Sequence, residues 1–233
     1  MLQVRKSQER GRAEHGWLSS RHTFSFAEYY DPKQMGFGDL RVINEDRVQP
    51  GAGFPTHPHR DMEILSYVVS GALEHKDSMG TGSVIRPGEI QYMSAGSGVL
   101  HSEYNASQTE PVHFLQIWIK PNTTGKPAAY RQNQFAESDR QGRWHVLVDP
   151  AGRDGAIAIK QDARLLTTAF RPGEGLKTPL AADRRYWLQV VQGELDVNGV
   201  RVQSGDGVAI EQEPELALAA SQASELLLFD LQR

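Results

Sequence analysis

Tyr67-Val-Val-Ser-Gly71-Ala-Leu-Glu74, in the first half of the chain, reads closely like Gln189-Val-Val-Gln-Gly193-Glu-Leu-Asp196 in the second. Each is an alternating apolar run broken by a glycine, the pattern of two strands joined by a tight turn. Two more pairs follow in the same order. Ile85-Arg-Pro-Gly88-Glu-Ile90 matches Val202-Gln-Ser-Gly205-Asp-Gly207, and Phe114-Leu-Gln-Ile-Trp-Ile119 matches Leu226-Leu-Leu-Phe-Asp-Leu231. Tandem duplication of one small barrel would leave three matches in this order.

Outward from these pairs, strand-like runs fill both halves. The first half has 23–29 (TFSFAEY), 40–43, 64–69, 72–76, 90–94 and 112–119 (VHFLQIWI). The second has 144–148, 157–159, 165–170, 187–191, 194–197, 200–203, 208–210 and 226–231. Asn198-Gly199 between two such runs predicts a hairpin, because a type I′ turn needs two residues at positive φ. The polar stretch 121–134 (PNTTGKPAAYRQNQ) breaks the pattern and reads as the connection between domains. The expected division is therefore 1–132 and 133–233.

Composition agrees with an all-β chain. Its 233 residues include 22 Gly and 12 Pro, which suits many short strands better than a helical bundle. The formal net charge of −4 leaves no basic excess for phosphates, so nucleic acid is not an expected partner. The absence of cysteine excludes disulfides, thiolate metal sites and thiol nucleophiles. Neither an apolar leader nor a run of about 20 apolar residues is visible, so the expectation is a soluble, cytoplasmic protein, monomeric by default, without a membrane partner.

The chemistry gathers in the first half. His57-Pro-His59 follows the turn Gly51-Ala-Gly53, and residues i and i+2 of an extended chain share a face. Pro58 holds His57 extended. His101-Ser-Glu103 repeats the spacing after Ser94-Ala-Gly-Ser-Gly98. On neighbouring strands the two pairs converge on one interior point. Three imidazoles and a carboxylate suit a divalent metal with open positions. Parity would also place 57, 59, 61 and 63 on one face, so Glu63 could turn inward as well. The second half offers a control. Counting back from Gly193 sets Pro179 and Ala181 opposite His57 and His59, and counting on from Gly205 sets Leu218 and Ala220 opposite His101 and Glu103. The barrel pattern persists there without the ligands, so the ligands serve function rather than folding.

Several segments together resemble the pirin family of the cupin superfamily, in particular its bacterial quercetin 2,3-dioxygenases. They are His22-Thr-Phe-Ser-Phe26, Tyr29-Tyr-Asp-Pro32, Met35-Gly-Phe37, Leu40-Arg-Val-Ile-Asn-Glu-Asp46, Thr56-His-Pro-His-Arg-Asp-Met-Glu-Ile64, Glu74-His-Lys-Asp-Ser-Met-Gly80 and Ser94-Ala-Gly-Ser-Gly-Val-Leu-His-Ser-Glu-Tyr-Asn105. The chain departs from the ordinary cupin spacing by one residue between Glu63 and Gly71. The resemblance implies a bicupin, two tandem antiparallel β-barrels (jelly rolls) with few short helices, in which only the first binds metal. It implies His57, His59, His101 and Glu103 as ligands of one divalent ion. Fe(II) is the expected ion, with Mn, Co, Ni, Cu and Zn compatible with the same donors. In ordinary cupins the carboxylate stands where Glu63 does; in pirins it stands at Glu103, leaving Glu63 behind the ligands or at a strand edge.

The resemblance further implies oxidative opening of the heterocyclic ring of a flavonol such as quercetin, with dioxygen consumed and carbon monoxide released. Glu103 would be both ligand and general base for the 3-hydroxyl. The alternative is a metal-containing binding protein that acts on a transcription factor or a metabolic enzyme. Met93, Phe114 and Trp118 are candidates to line the substrate pocket. His75 reads as a surface or edge residue, His15 and His22 as N-terminal packing, Asn105 as a turn or supporting residue, and residues 183–185 as a solvated turn. His113 has the opposite parity to Phe114 and Trp118, and its direction stays open.

Overall fold

A computed structural model describes residues 1–233. The chain is built almost wholly of antiparallel strands, with one helical turn at Glu137–Arg140 and two short 3-10 turns. No helix is long and apolar enough to cross a membrane. It divides into two compact units, Gly11–Gln134 and a second made of Met1–Arg10 with Phe135–Arg233.

The front unit is one nine-stranded sheet. Its spatial order is Gly11–Glu14, Leu18–His22, Leu40–Val48, Val112–Ile119, Gly53–Ser70, Glu89–Asn105, Leu73–Asp77 and Gly82–Ile85, with Ala129–Gln134 also pairing with Glu89–Asn105. Gly53–Ser70 and Glu89–Asn105 are 18 and 17 residues long. Their mutual pairing puts His57 directly opposite His101. Alternation along Glu89–Asn105 buries His101, Glu103 and Asn105 and leaves Ser102 and Tyr104 partly exposed, as the pleat requires.

Three sequence readings of the front half and its N-terminal segment change in the fold's layout. Residues 23–29 form no strand: Ala27 takes φ +48°, and Phe26 and Tyr29 close a tight bridge around it. The stretch 121–134 is not a free connection. Its second half, Ala129–Gln134, is a strand registered on Glu89–Ser94. Its first half lies so close that a Cβ on Gly96 (φ +48°) would fall 2.1 Å from the Lys126 carbonyl oxygen. The third change concerns the first ten residues, expected in the front domain. Leu2–Arg5 instead pairs with Gly207–Glu211 of the other unit, because an open sheet edge gains a ladder of backbone hydrogen bonds there.

The second unit packs a seven-stranded sheet and a four-stranded sheet around one apolar cluster that includes Leu188, Leu195, Val208, Leu216 and Leu228. The expected hairpin is present: Asn198 and Gly199 have φ of +48° and +81°, and Val197 pairs with Val200. The strand pair equivalent to the two long front strands is Gly175–Pro179 with Glu215–Ala220, which sets Leu176 opposite Leu218. Leu218 belongs to the apolar cluster and Leu176 packs on it. The counterpart of His57 is therefore Leu176, not Pro179, which is exposed. The count back from Gly193 slips because the chain leaves the strand at Pro179 and turns through 181–183 before Arg184–Gln192 begins.

The N-terminal segment also supplies partners for a buried charge in its unit. The fully buried Asp206 carboxylate accepts from Lys6 Nζ at 3.0 Å, the Ser7 amide at 2.7 Å and the Gln203 amide at 3.2 Å. Removing one partner of a buried charge destabilises by about 1–3 kcal/mol or more. Lys6→Ala is therefore expected to lower stability by about 2 kcal/mol, read from urea unfolding. An unchanged midpoint would show that the backbone donors suffice.

Candidate metal centre

The two long front strands carry the site. Gly51, at φ +67°, turns the chain into Gly53–Ser70; Pro58 keeps His57 extended, and pairing with Val99 does so for His59. Their rings meet His101 from the facing strand: ring centroids lie 4.5 Å (57–101), 4.7 Å (59–101) and 4.8 Å (57–59) apart. One nitrogen from each ring lies within 4.8 Å of the other two. The Nε2 atoms of His57 and His101 are 3.0 Å apart.

Proton placement fits a cation. His57 Nδ1 lies 2.8 Å from the Pro55 carbonyl oxygen, which can only accept. The hydrogen therefore sits on Nδ1, and Nε2 presents a lone pair to the cluster. Burial, then the neighbouring rings, push His59 down to about 4 and His101 down to about 3. Both are neutral near pH 7, the state a metal needs. Two nitrogens each about 2.1 Å from one ion are about 3.0 Å apart at a right angle and about 3.4 Å at a tetrahedral angle. The observed spacing thus lets both nitrogens reach one ion.

Glu103 is buried beside these rings but is not one of the three clustered groups. Its carboxylate accepts from Gln116 Nε2 at 2.7 Å and from Ser66 Oγ at 3.2 Å. Glu63 has a separate place. It accepts from Tyr92 Oη and Ser94 Oγ, each at 2.6 Å. Burial and this carboxylate raise the Tyr92 hydroxyl well above the ordinary phenol range. The expected shared face of 57, 59, 61 and 63 is broken at Asp61. That residue has φ +64°, and the pairing with the facing strand shifts register there. Beyond it the face reverses. His59 touches the Trp118 indole at 4.9 Å, and Trp118 and Met62 both pack on the cluster that holds Ile64, so 62 and 64 take the face that 59 had. Glu63 therefore points the other way.

The remaining histidines sort by packing. His75, expected at the surface, is fully buried against the site. Its ring is 5.4 Å from His101 and stacks on Tyr130 at 4.9 Å. His22 is buried edge-on to Phe26, and His113 Nε2 lies 3.0 Å from Glu45. Asn105 is a turn residue: its amide donates to the Val48 and Glu110 carbonyls and accepts from the Ser107 amide. Of the proposed pocket residues, Trp118 touches His59, whereas Phe114 lies in an apolar cluster with Val68 and Leu73. Met93 is wholly buried with Ile64 and Val99.

A cleft of about 420 Å³ opens beside His59, lined by Pro58, Arg60, Ser78, Val99 and Leu100 among others. The second unit has a cleft of about 450 Å³, but its charged groups satisfy one another: Arg184 binds Asp230 at 2.6 Å and Asp162 at 2.7 Å. Reasoning from sequence missed Ser66, His75, Gln116 and Tyr130. A signal existed for Gln116, a lone amide in the apolar run VHFLQIWI, and for His75-Lys-Asp77, a third pair at i and i+2.

Comparison with known proteins agrees with this architecture. Residues 3–119 match the family model described as Pirin, and residues 146–231 match the one described as quercetinase C-terminal cupin domain. The quercetin 2,3-dioxygenase of Escherichia coli K12 is 50% identical over 231 residues, 99% of each chain. A pirin-like protein of Caulobacter vibrioides is 42% identical over 94% of this chain and 95% of its own. The crystal structure of the bacterial pirin YhhW from E. coli in complex with nickel(II) superposes with a TM-score of 0.95 at 49% identity, covering 100% of this chain and 99% of that one. Front-unit histidines gathered on facing strands, a second cupin unit and these full-length relatives together show that the chain belongs to the pirin family.

Proposed function

We propose that this chain is a metal-dependent dioxygenase that opens the heterocyclic ring of a flavonol such as quercetin, consuming dioxygen and releasing carbon monoxide. The observation that carries the reading is the cluster of neutral imidazoles beside a buried carboxylate, in a chain half identical to a quercetin 2,3-dioxygenase. His57, His59 and His101 would hold the ion, with Glu103 completing the set. Fe(II) is the proposed ion; that the related pirin YhhW forms a complex with nickel(II) supports a divalent metal here.

The bound ion supplies Lewis acidity and open positions for small ligands. The chain supplies the rest. The cleft beside His59 has the size of a small-molecule site. Its lining includes the apolar Val99 and Leu100 and the polar Arg60 and Ser78. The flavonol 3-hydroxyl must lose its proton before the ring can give electrons to dioxygen. Glu103 takes that proton. Gln116 and Ser66 hold its carboxylate beside the rings.

Iron-loaded protein is expected to bleach quercetin under air with one carbon monoxide released per flavonol. Glu103→Gln, which keeps the shape and loses the base, is expected to lower kcat by about 10²–10⁴. Unaltered turnover with metal still bound would remove Glu103 from the proton transfer.

The metal-free chain should also be sensitive to acid. His59 and His101 have folded pKa values of about 4 and about 3, below the 6.5 of a free imidazole. The unfolded chain therefore binds protons first as pH falls through 6.5, and stability declines until the folded groups titrate too. The loss by pH 4 is on the order of 3 kcal/mol, after discounting for the partial exposure of His59. Chemical denaturation of metal-free protein between about pH 7 and about pH 4 measures it. Replacing both residues with Gln should flatten the slope, and a slope that survives the replacement would place the acid sensitivity elsewhere.

A further inference from the structure

Behind His101 lies a chain of buried polar groups that ligand binding alone does not require. Asp77, whose side chain is fully buried, accepts on Oδ1 from the amides of Met79 at 2.8 Å and Thr81 at 3.1 Å. Its Oδ2 lies 3.0 Å from His75 Nε2. A carboxylate has only acceptors, so the His75 hydrogen sits on Nε2 and Nδ1 carries the lone pair. Gln91 Nε2, 3.0 Å from that Nδ1, donates to it and agrees with the tautomer. Stacking on Tyr130 holds the ring in place. The one hydrogen-bonding partner of His101 Nδ1 is this same His75 Nδ1, at 3.5 Å.

We propose that Asp77 and His75 form a positioning relay for His101. Asp77 orients His75, and the one lone pair on His75 Nδ1, which also accepts from Gln91 Nε2, faces His101 Nδ1–H and so turns the Nε2 lone pair of His101 toward the ion. The inference rests on the reading of His101 as a metal ligand. In the metal-free fold the 3.5 Å contact is at the outer limit of a hydrogen bond. A cation held by Nε2 would make Nδ1–H a stronger donor toward His75. Ligand imidazoles are commonly held through their second nitrogen, and losing such a partner lowers metal affinity by about 10–100-fold. His75 and Asp77 touch neither substrate nor ion in this account, so they are positioning residues.

Asp77→Asn is nearly isosteric and tests the relay with little change in packing. Its carbonyl oxygen can keep the Met79 and Thr81 amides, but its amide group then donates to His75 Nε2. The His75 hydrogen is forced to Nδ1. Gln91 can adapt by turning its amide, whose Oε1 has no partner in the fold. His101 is left with a donor facing a donor. His75→Leu removes the acceptor altogether, whereas His75→Gln can both donate to Asp77 and accept from His101.

The measurement is Co(II) affinity by chelator competition, with the visible spectrum of bound Co(II) recorded on protein shown to be folded by circular dichroism. Asp77→Asn and His75→Leu are expected to bind about 10–100-fold more weakly, with altered Co(II) bands, and His75→Gln is expected to recover most of the affinity. A purely packing role would instead lower the unfolding midpoint and leave the affinity and spectrum of the folded protein unchanged. Wild-type affinity and bands in both Asp77→Asn and His75→Leu would overturn the relay while leaving the metal centre standing. Failure of the unaltered protein to bind Co(II) would overturn the metal centre itself and the relay with it.

Discussion

The register between the two long front strands governs this molecule. With His57 directly opposite His101, one imidazole from each strand meets with nitrogens 3.0 Å apart. A slip of one residue would turn each histidine to the other face of its strand. That register is pinned by local irregularities. Pairing shifts between Phe54 and His57 and again between His59 and Asp61, so the pair that carries the ligands is bracketed by bulges. Asp61 holds its positive φ while its carboxylate accepts from the Gly125 amide at 2.7 Å. A segment that reads as loose connection thus helps fix the frame of the histidine cluster.

The same irregularities explain which carboxylate belongs with the rings. Simple alternation would bring Glu63 in with His57 and His59. The left-handed residue at 61 reverses the face, and Tyr92 and Ser94 take Glu63 instead. Glu103, on a strand that keeps its alternation through His101 and Asn105, stays beside the cluster. Backbone geometry is thus what leaves Glu103, and not Glu63, beside the rings.

Much of this is legible in the sequence alone. Period-2 alternation with glycine turns is a strong signal, and it marks most strands, the duplication and the Asn198-Gly199 hairpin. Ligand pairs at i and i+2 are equally direct, because strand geometry alone brings such side chains to one face. The features that escape it share one cause: they depend on non-local pairing. Nothing local in 1–10 shows that it joins the second unit's sheet. The strand Ala129–Gln134 is polar because it is half-exposed, so its composition resembles a linker. His75 reads as peripheral because its short strand has little apolar content, yet pairing with Glu89–Asn105 carries it behind His101. The second unit shows the converse. Leu176 and Leu218 stand where the first unit has His57 and His101, and an apolar core fills the place of the metal site.

The most direct test of the account is an anomalous difference map from crystals of this protein grown with Fe(II) under anaerobic conditions and recorded at the iron edge. The account predicts one strong peak about 2.0–2.3 Å from a nitrogen of each of His57, His59 and His101, with the Glu103 carboxylate turned toward it. A peak in the second unit, or iron bound away from these three rings, would contradict it.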